Sequence, residues 1–247
     1  MSAPGRLDPD WPAPPGVRAF ATTREGGVGS GAFASFNLSY RVGDDAAAVD
    51  ANRRRLRAWL PADPRGLRQV HGNRVVDAAT VTDPIEADAA VTRQRDVVCA
   101  ISIADCIPVL LCDRAGSVVA AAHAGWRGLA GGVLENTLAA MDCAPAEVLA
   151  WLGPGIGPTA FEVGADVHAA FVQDDAEAAS AFQPHAAGKW RCDLFALARR
   201  RLARAGVTAV HGGGHCTYRD AGRFFSYRRD RTTGRMAACI WLEATEA

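Results

Sequence analysis

The amino-acid sequence predicts an α+β fold in which mixed β-sheet layers carry helices on their outer sides. Predicted strands outnumber predicted helices, and the two kinds of element do not alternate strictly along the 247 residues. Strict alternation would have indicated a doubly wound parallel sheet, so its absence favours a mixed sheet or a pair of sheets. Repeats, low-complexity runs and interdomain linkers are absent. We therefore expect residues 1–247 to form a single domain, near the upper size for one hydrophobic core.

The first part of the chain is predicted to be rich in strands. A proline-rich start ends near Gly16, and the glycine-rich loop at 26–31 interrupts regular structure. A helix is expected from a cap at Asp44 or Asp45 to about Leu60, where prolines follow. The strands predicted here are 17–24, 67–70, 74–78, 87–92 and 97–103.

The segment 103–132 is the most informative part of the chain. Two apolar runs, typical of buried strands, are joined by a tight Asp-Arg-Ala-Gly turn and followed by a glycine-rich corner that opens a helix. Apolar periodicity beyond it predicts further helices. The helices are expected at about 129–141, 165–181 and 193–205, and the remaining strands at 147–152, 208–211, 224–227 and 236–242.

Composition and charge argue against several classes of partner. The formal net charge is +0, which removes the long-range attraction expected of a protein that binds nucleic acid or an anionic membrane. No apolar run approaches the length of a membrane span, and the start lacks the apolar core of a signal peptide. The 7 cysteines are odd in number and without paired spacing, which suits a reduced compartment. We expect a cytoplasmic protein.

A metal site is the main functional prediction from the residues. Cys106 and His123 end or follow the apolar runs, so neighbouring strands would bring a thiolate and an imidazole together. Thiolate and imidazole are the ligands that zinc and copper prefer. His71, between a short apolar run and a glycine turn, is a candidate third ligand.

Long motifs carry a resemblance to a known family. They include "TREGGV", "SFNLSYRVGDD", "QVHGNRV", "ADCIPVLLCD", "HAGWRGLAGGV", "WLGPGIGPTAFEVG" and "FFSYRRDRTTGRMAACIWL". Over nearly its whole length the chain resembles the bacterial laccase-domain family, also called multicopper polyphenol oxidase, purine nucleoside phosphorylase and peptidoglycan editing factor. The resemblance implies that His71, Cys106 and His123 are the metal ligands, with Cys106 and His123 also catalytic.

Zinc is the expected metal, with copper as the alternative. Three protein ligands and an open position are typical of catalytic zinc, whereas a closed site would need a fourth ligand such as Cys216. A multicopper cluster needs many histidines, usually as His-x-His pairs, and the chain has 6 histidines and no such pair. A single His₂Cys copper stays open, with Met236 as its axial ligand.

Substrate contacts are predicted at four residues. Arg127 lies at the start of a predicted helix beside His123, where amide N–H groups and a guanidinium would bind phosphate. Arg228 is a second cation candidate. Arg24 and Asn37 flank the glycine-rich loop, which would approach a ligand closely, and both match positions of the family.

The resemblance implies activity on purine nucleosides. The expected reactions are phosphorolysis of adenosine, inosine and methylthioadenosine to the free base and (methylthio)ribose 1-phosphate, and deamination of adenosine. Purine nucleoside and phosphate are thus the expected partners, with no nucleic acid and no membrane. The alternatives are a peptidoglycan-precursor editing amidohydrolase, a copper-dependent polyphenol oxidase (laccase-like), a thiol hydrolase built on Cys106, and a metal-dependent binding protein without turnover.

Overall fold

The computed structural model describes residues 5–82 and 84–244. Its strands are β1 Arg6–Leu7, β2 Val17–Thr22, β3 Leu67–Arg68, β4 Val75–Asp77, β5 Ile85–Glu86, β6 Ala89–Thr92, β7 Cys99–Ile103, β8 Ile107–Asp113, β9 Val119–Ala124, β10 Val148–Leu152, β11 Glu162–Val163, β12 Phe182–Pro184, β13 Trp190–Cys192, β14 Ala209–Gly212 and β15 Met236–Leu242. Its α-helices are α1 Ala46–Arg57, α2 Trp126–Ala130, α3 Val133–Met141, α4 Ala165–Val172, α5 Leu194–Arg204 and α6 Tyr227–Asp230. None of the helices in these ranges is both long enough and apolar enough to cross a membrane.

Two main sheets pack face to face. One is antiparallel with the strand order β1-β2-β15-β7, and the other is mixed with the order β14-β10-β8-β9-β6-β4. Two small sheets, β11-β13-β12 and β3-β5, lie beside them. Ile101 and Ile240 of the first sheet share one buried cluster with Leu110 and Ala121 of the second. This shared cluster is the centre of the molecule.

Helices cover the outer face of each main sheet. Alternate residues of β8 point in opposite directions, so Val109 and Leu111 pack against Leu134 of α3 and Leu197 of α5. Because both faces of β8 are covered, its residues from Ile107 to Cys112 form an uninterrupted apolar run. On the far side of the first sheet, α1 packs through Leu56. The predicted α+β fold with mixed sheets and outer helices is therefore confirmed.

Several element predictions are confirmed. The helix expected after Asp44 or Asp45 begins with Asp45 as its cap, because the Asp45 carboxylate accepts a hydrogen bond from the Ala47 amide. The two apolar runs of the central segment pair as the antiparallel hairpin β8–β9. The structure adds the three-stranded sheet β11-β13-β12, whose short strands lack a clear sequence pattern.

Two predicted helices are shorter than expected. The helix expected at 129–141 is divided, since α2 ends at Ala130 and Gly132, with a φ of 86°, turns the chain before α3. Glycine adopts this left-handed conformation at little cost. The helix expected at 165–181 ends at Val172, and the Asp175 carboxylate then caps a short 3₁₀ helix.

The strands expected at 224–227 and 67–70 are also corrected. Phe224 and Phe225 are fully buried but not in a strand, and the Ser226 hydroxyl accepts a hydrogen bond from the Arg229 amide to begin α6. A buried apolar pair is common to strands and to loops that cover a core, so the pattern was ambiguous. The strand at 67–70 ends at Arg68, because the Val70 amide donates to a side chain.

Candidate metal centre and substrate cavity

His71, Cys106 and His123 come together at the open end of the β8–β9 hairpin. His123 lies on β9, Cys106 directly precedes β8, and His71 lies in the turn after β3. Their candidate ligand atoms all lie within 4.8 Å of one another. In the part of the chain that the structure describes, no other group of three or more His, Cys, Asp or Glu side chains meets this distance. The three residues predicted as ligands therefore converge on one point.

Asp88 holds two of these three residues in position. Its fully buried carboxylate lies 2.8 Å from Nδ1 of His123 and accepts hydrogen bonds from the backbone amides of Val70, His71 and Gly72 at 3.1, 2.9 and 2.7 Å. With Nδ1 of His123 bonded to Asp88, Nε2 is left as the nitrogen for a metal. A carboxylate that orients a ligating histidine is a common feature of metal sites.

Asp88 was missed from the sequence. Its only signal there is one carboxylate in the otherwise small and apolar stretch Ala87-Asp-Ala-Ala-Val. The turn that it binds is unusual, because His71 has a φ of 61°, in the left-handed region. Three successive amides in such a turn point to one side and form a site for an anion. The carboxylate of Asp88 is that anion.

Two glycines let α2 approach the ligands closely. A Cβ atom on Gly125 would lie 2.8 Å from Sγ of Cys106 and 3.2 Å from Cδ2 of His71. A Cβ on Gly128 would lie 2.7 Å from the carbonyl oxygen of Gly72. Contacts this short with a thiol or with backbone require a shift of the structure, so only glycine fits at these positions. This explains the "HAGWRG" spacing physically.

The charges of Cys106 and His123 depend on each other. Burial alone would raise the pKa of the Cys106 thiol, but the imidazoles of His123 and His71 lower it below its usual range. Burial alone would lower the pKa of His123, but the Cys106 thiolate and Asp88 raise it. Burial likewise favours neutral Asp88, whereas its hydrogen bonds lower its pKa. The charged form of each residue thus favours the charged form of the other.

The donor set fits one metal ion with an open position. The Sγ atom of Cys216 accepts a hydrogen bond from the Gly157 amide at 3.1 Å and is not part of the ligand group, so the structure does not support a closed four-ligand site. Met236 is fully buried and lines the same cavity, which leaves the single-copper alternative open. Two imidazoles and one thiolate suit zinc and mononuclear copper.

The ligand group opens into a cavity of about 720 Å³, a size typical of small-molecule sites. Its lining is strongly positive although the chain has a net charge of +0. Six arginines line it: Arg41, Arg53, Arg65, Arg127, Arg228 and Arg235. Asp105 is the one carboxylate among the described lining residues, and both its oxygens are bonded, to the Thr217 hydroxyl and to the Arg228 amide. The cavity is therefore suited to an anion.

The predicted substrate residues divide into two groups. Arg127 and Arg228 line the cavity, stacked on Trp126 at 4.4 Å and on Phe161 at 5.0 Å. The helix that carries Arg127 has five residues, too short to act as a strong dipole for an anion. Their contact with substrate stays a prediction.

Arg24 and Asn37 lie outside the cavity lining. Arg24 donates to the carbonyl oxygens of Ala34 and Ala221, which ties the glycine-rich loop to a distant turn. Asn37 is fully buried, and its side chain bonds Asp44 and the backbone of Arg235. The prediction that these two residues contact substrate stays a prediction, and their hydrogen bonds give them a structural role.

Fold and site together define a class: α+β proteins with one His–Cys–His ligand group at the base of a cationic small-molecule cavity. A model of the family described as multi-copper polyphenol oxidoreductase laccase matches residues 18–243, and the chain belongs to this family. The resemblance inferred from the motifs is thus confirmed.

Relatives match the chain over nearly its whole length. It is 54% identical to a purine nucleoside phosphorylase of Pseudomonas aeruginosa, with 96% of this chain and 98% of that protein covered. It is 50% identical to the purine nucleoside phosphorylase YfiH of Escherichia coli, with 95% and 97% covered. The crystal structure of a Neisseria meningitidis protein superposes with a TM-score of 0.94 at 52% identity, covering 97% of this chain and 100% of that one.

Proposed function

We propose that the protein is a zinc-dependent purine nucleoside phosphorylase that also deaminates adenosine. The observation that carries the proposal is the arginine-lined cavity that opens on the His–Cys–His group. Relatives at 54% and 50% identity are named purine nucleoside phosphorylases, which supports the reaction class. The substrates proposed are adenosine, inosine and methylthioadenosine, together with phosphate. Because all the described cysteines are free thiols, we place the enzyme in the cytoplasm.

Zinc would be held by His71, Cys106 and His123, and when bound it supplies a Lewis acid and a water of lowered pKa. Phosphorolysis joins a phosphate oxygen to C1′ of the ribose while the bond from C1′ to the purine nitrogen breaks. The electron pair of that bond leaves with the purine, and the proton that phosphate loses balances the one that the base gains. The chain must therefore hold an anion close to the sugar.

The cavity residues suit both halves of the substrate. The arginines provide fixed positive charge where phosphate must replace its water shell, and such preorganised charge is the usual basis of phosphate binding. Ile156, Phe161 and Trp126 provide apolar and aromatic surface for a purine. Arg228 is stacked on Phe161, which supports a position for its guanidinium between the anion and the purine ring.

Deamination would use the same cavity without phosphate. A water adds to C6 of adenosine, ammonia leaves, and inosine is formed. This reaction needs the metal ligands and contacts to the purine, but not the anion-binding arginines. The two activities can therefore be separated by variants on different sides of the cavity.

The test is a product assay on zinc-loaded protein. Inosine with inorganic phosphate should give hypoxanthine and ribose 1-phosphate, and adenosine without phosphate should give inosine and ammonia. Both reactions should stop in protein treated with a chelator and should return when zinc is added. A uridine-diphosphate-linked cell-wall precursor and a phenol with added copper are the comparison substrates. Turnover of either comparison substrate, with none of the three nucleosides cleaved, would overturn the proposal.

A further inference from the structure

Arg235 is a partly buried cation that lines the cavity, and among the described residues it forms no ion pair with a carboxylate. We infer that Arg235 is the principal binding group for a tetrahedral oxyanion in this cavity, with Arg228 as its neighbour. The identification of that oxyanion as the phosphate co-substrate rests on the proposed phosphorylase function. The anion site itself is supported by independent observations.

The first observation is the hydrogen bonding of the Arg235 side chain. One terminal nitrogen donates to the carbonyl oxygens of Thr233 and Gly234, both at 3.0 Å. Within the described residues, Nε and the other terminal nitrogen have no protein acceptor. The guanidinium is thus anchored at one corner while its remaining donors are free for a ligand. A planar group with adjacent free N–H donors matches two oxygens of a phosphate.

The second observation is the contrast with three partly buried arginines that form ion pairs; Arg24 and Arg199 form none, but each donates from two side-chain nitrogens to backbone carbonyl oxygens. Arg200 pairs with Asp175, Arg201 with Asp174, and Arg229 with Asp230. Neither Arg235 nor Arg228 forms such a pair within the described residues. Burial lowers the pKa of Arg235, as expected of a charge that water solvates poorly, while the charges of Asp105 and Cys106 act in the opposite direction. A poorly solvated cation beside a cavity gains more from an incoming anion than an exposed one does.

The third observation is that the carboxylate of the cavity is already occupied. The oxygens of Asp105 accept hydrogen bonds of 2.6 Å from the Thr217 hydroxyl and of 2.6 Å from the Arg228 amide. Asp105 therefore holds the start of α6 in place, and both its oxygens are bonded to groups other than the two guanidiniums. The Arg228 guanidinium donates to the carbonyl oxygen of Glu162 at 2.7 Å, which directs it to the same cavity.

The position of Arg235 is rigid because it directly precedes β15. The next residue, Met236, pairs with Ile103 at the end of β7, and Cys106 follows three residues later. The Arg235 amide also donates to the buried Asn37 side chain at 2.9 Å. The sheet that leads to the metal ligand thus also places the proposed anion-binding group. Arg127, in contrast, is exposed and lies on a short helix.

The main experiment compares Arg235→Gln with Arg235→Lys in the zinc-loaded enzyme. The loss of charge-assisted hydrogen bonds in Arg235→Gln should raise the KM for phosphate by about ten- to a hundredfold. Arg235→Lys keeps the charge but not the planar fork, so its KM should be intermediate. Zinc content and the rate of adenosine deamination should stay close to those of the wild type. Arg54→Gln, which removes one exposed charge outside the cavity lining, is the matched control.

A binding experiment tests the site without catalysis. Inorganic phosphate should raise the Tm of the wild-type protein, both chelated and zinc-loaded, relative to chloride at equal ionic strength. The increase should be lost in Arg235→Gln and kept in Arg54→Gln. The measurement on metal-free, chelated protein distinguishes phosphate bound by arginine from phosphate bound by the metal.

The outcomes separate the two proposals. If Arg235→Gln keeps both the wild-type KM and the phosphate-dependent Tm increase, the assignment of Arg235 is wrong and the proposed function is untouched. If the wild type cleaves no nucleoside but Arg235→Gln abolishes phosphate binding, the anion site stands and phosphorolysis fails. A loss of zinc or of deamination in both Arg235 variants would show that Arg235 supports the fold, which would overturn the assignment.

Discussion

The two sides of the cavity are built in different ways. The metal side consists of His71, Asp88, Cys106 and His123, each of which lies on a paired strand or within a few residues of one. Asp88 and His123 are buried and bonded to each other. The arginine side, formed by the six lining arginines, lies on loops and on helices of different lengths, and four of its members are exposed. The metal side is held by hydrogen bonds to one buried carboxylate, whereas the arginine side distributes its charge over several separate groups.

This difference has a physical reason. A metal ion requires donor atoms at short, fixed distances, so each ligand must be oriented before the ion binds. An anion can be stabilised by several cations at once, so the loss of any cation other than the principal one is partly compensated by the rest. Single changes should therefore have large effects on the metal side and graded effects on the arginine side.

The largest effect is expected for Cys106→Ala. The variant should lose most of the zinc that the wild type carries, roughly one ion per chain, because two imidazoles alone bind zinc weakly. The measurement is metal content after purification without chelator. Cys216→Ala is the matched control and should keep its zinc, since Cys216 is outside the ligand group. Full occupancy in Cys106→Ala would remove the basis of the metal assignment.

A smaller effect on the same side is expected for Asp88→Asn. The asparagine side chain has one acceptor oxygen in place of two, so it cannot bond both His123 and the three backbone amides that the carboxylate holds. Zinc affinity should therefore fall by about ten- to a hundredfold. Competition with a chromophoric chelator measures this change. Asp113→Asn is the control, because Asp113 is also a buried carboxylate that accepts three hydrogen bonds, in the β8–β9 turn. Equal zinc affinity in both variants would contradict the orienting role.

The pH dependence of metal binding should follow His123. Burial lowers its pKa, but Cys106 and Asp88 raise it above the ordinary value of 6.5, so His123 is protonated near neutrality in the metal-free protein. Metal binding must release that proton, so zinc affinity should rise about tenfold per pH unit until the raised pKa is passed. Protonation of His123 stabilises the metal-free fold fully below pH 6.5, the ordinary pKa of histidine. This stabilisation is lost as the pH rises through the raised pKa of the folded state. Calorimetry in buffers of different ionisation enthalpy counts the released proton, and an affinity independent of pH would exclude this account.

The smallest effect is expected for Arg127→Ala. Its guanidinium is exposed and stacked on Trp126, and an exposed charge contributes roughly 0–1 kcal/mol. The KM for phosphate should therefore change by less than about fivefold. The rates of ribose 1-phosphate and ammonia formation, measured beside Arg235→Gln, test this order. A larger loss in Arg127→Ala than in Arg235→Gln would reverse the roles assigned to the two arginines.

The sequence predicted the metal side better than the arginine side. His71, Cys106 and His123 occur in apolar or glycine-containing motifs whose local structure follows from a few neighbouring residues. Arg24 and Asn37 also lie in such motifs, yet neither lines the cavity, and their side chains bond the backbone of Ala34 and of Arg235 instead. A motif therefore indicates that a residue matters, but it does not distinguish contact with a ligand from support of a loop.

The sequence by itself determined the family, the three candidate ligands and the buried strands, because these follow from motifs and from local periodicity. Only the tertiary structure decided which polar groups meet. Asp88 reaches His123 across 35 positions, and the contact of Asn37 with Arg235 spans 198 positions. Because the hydrophobic effect is non-directional, a hydrophobic strand can be buried against almost any apolar neighbour, and its burial can be predicted without knowing that neighbour. A hydrogen bond or an ion pair needs one partner at one distance and angle, and that partner is known only when the chain is folded.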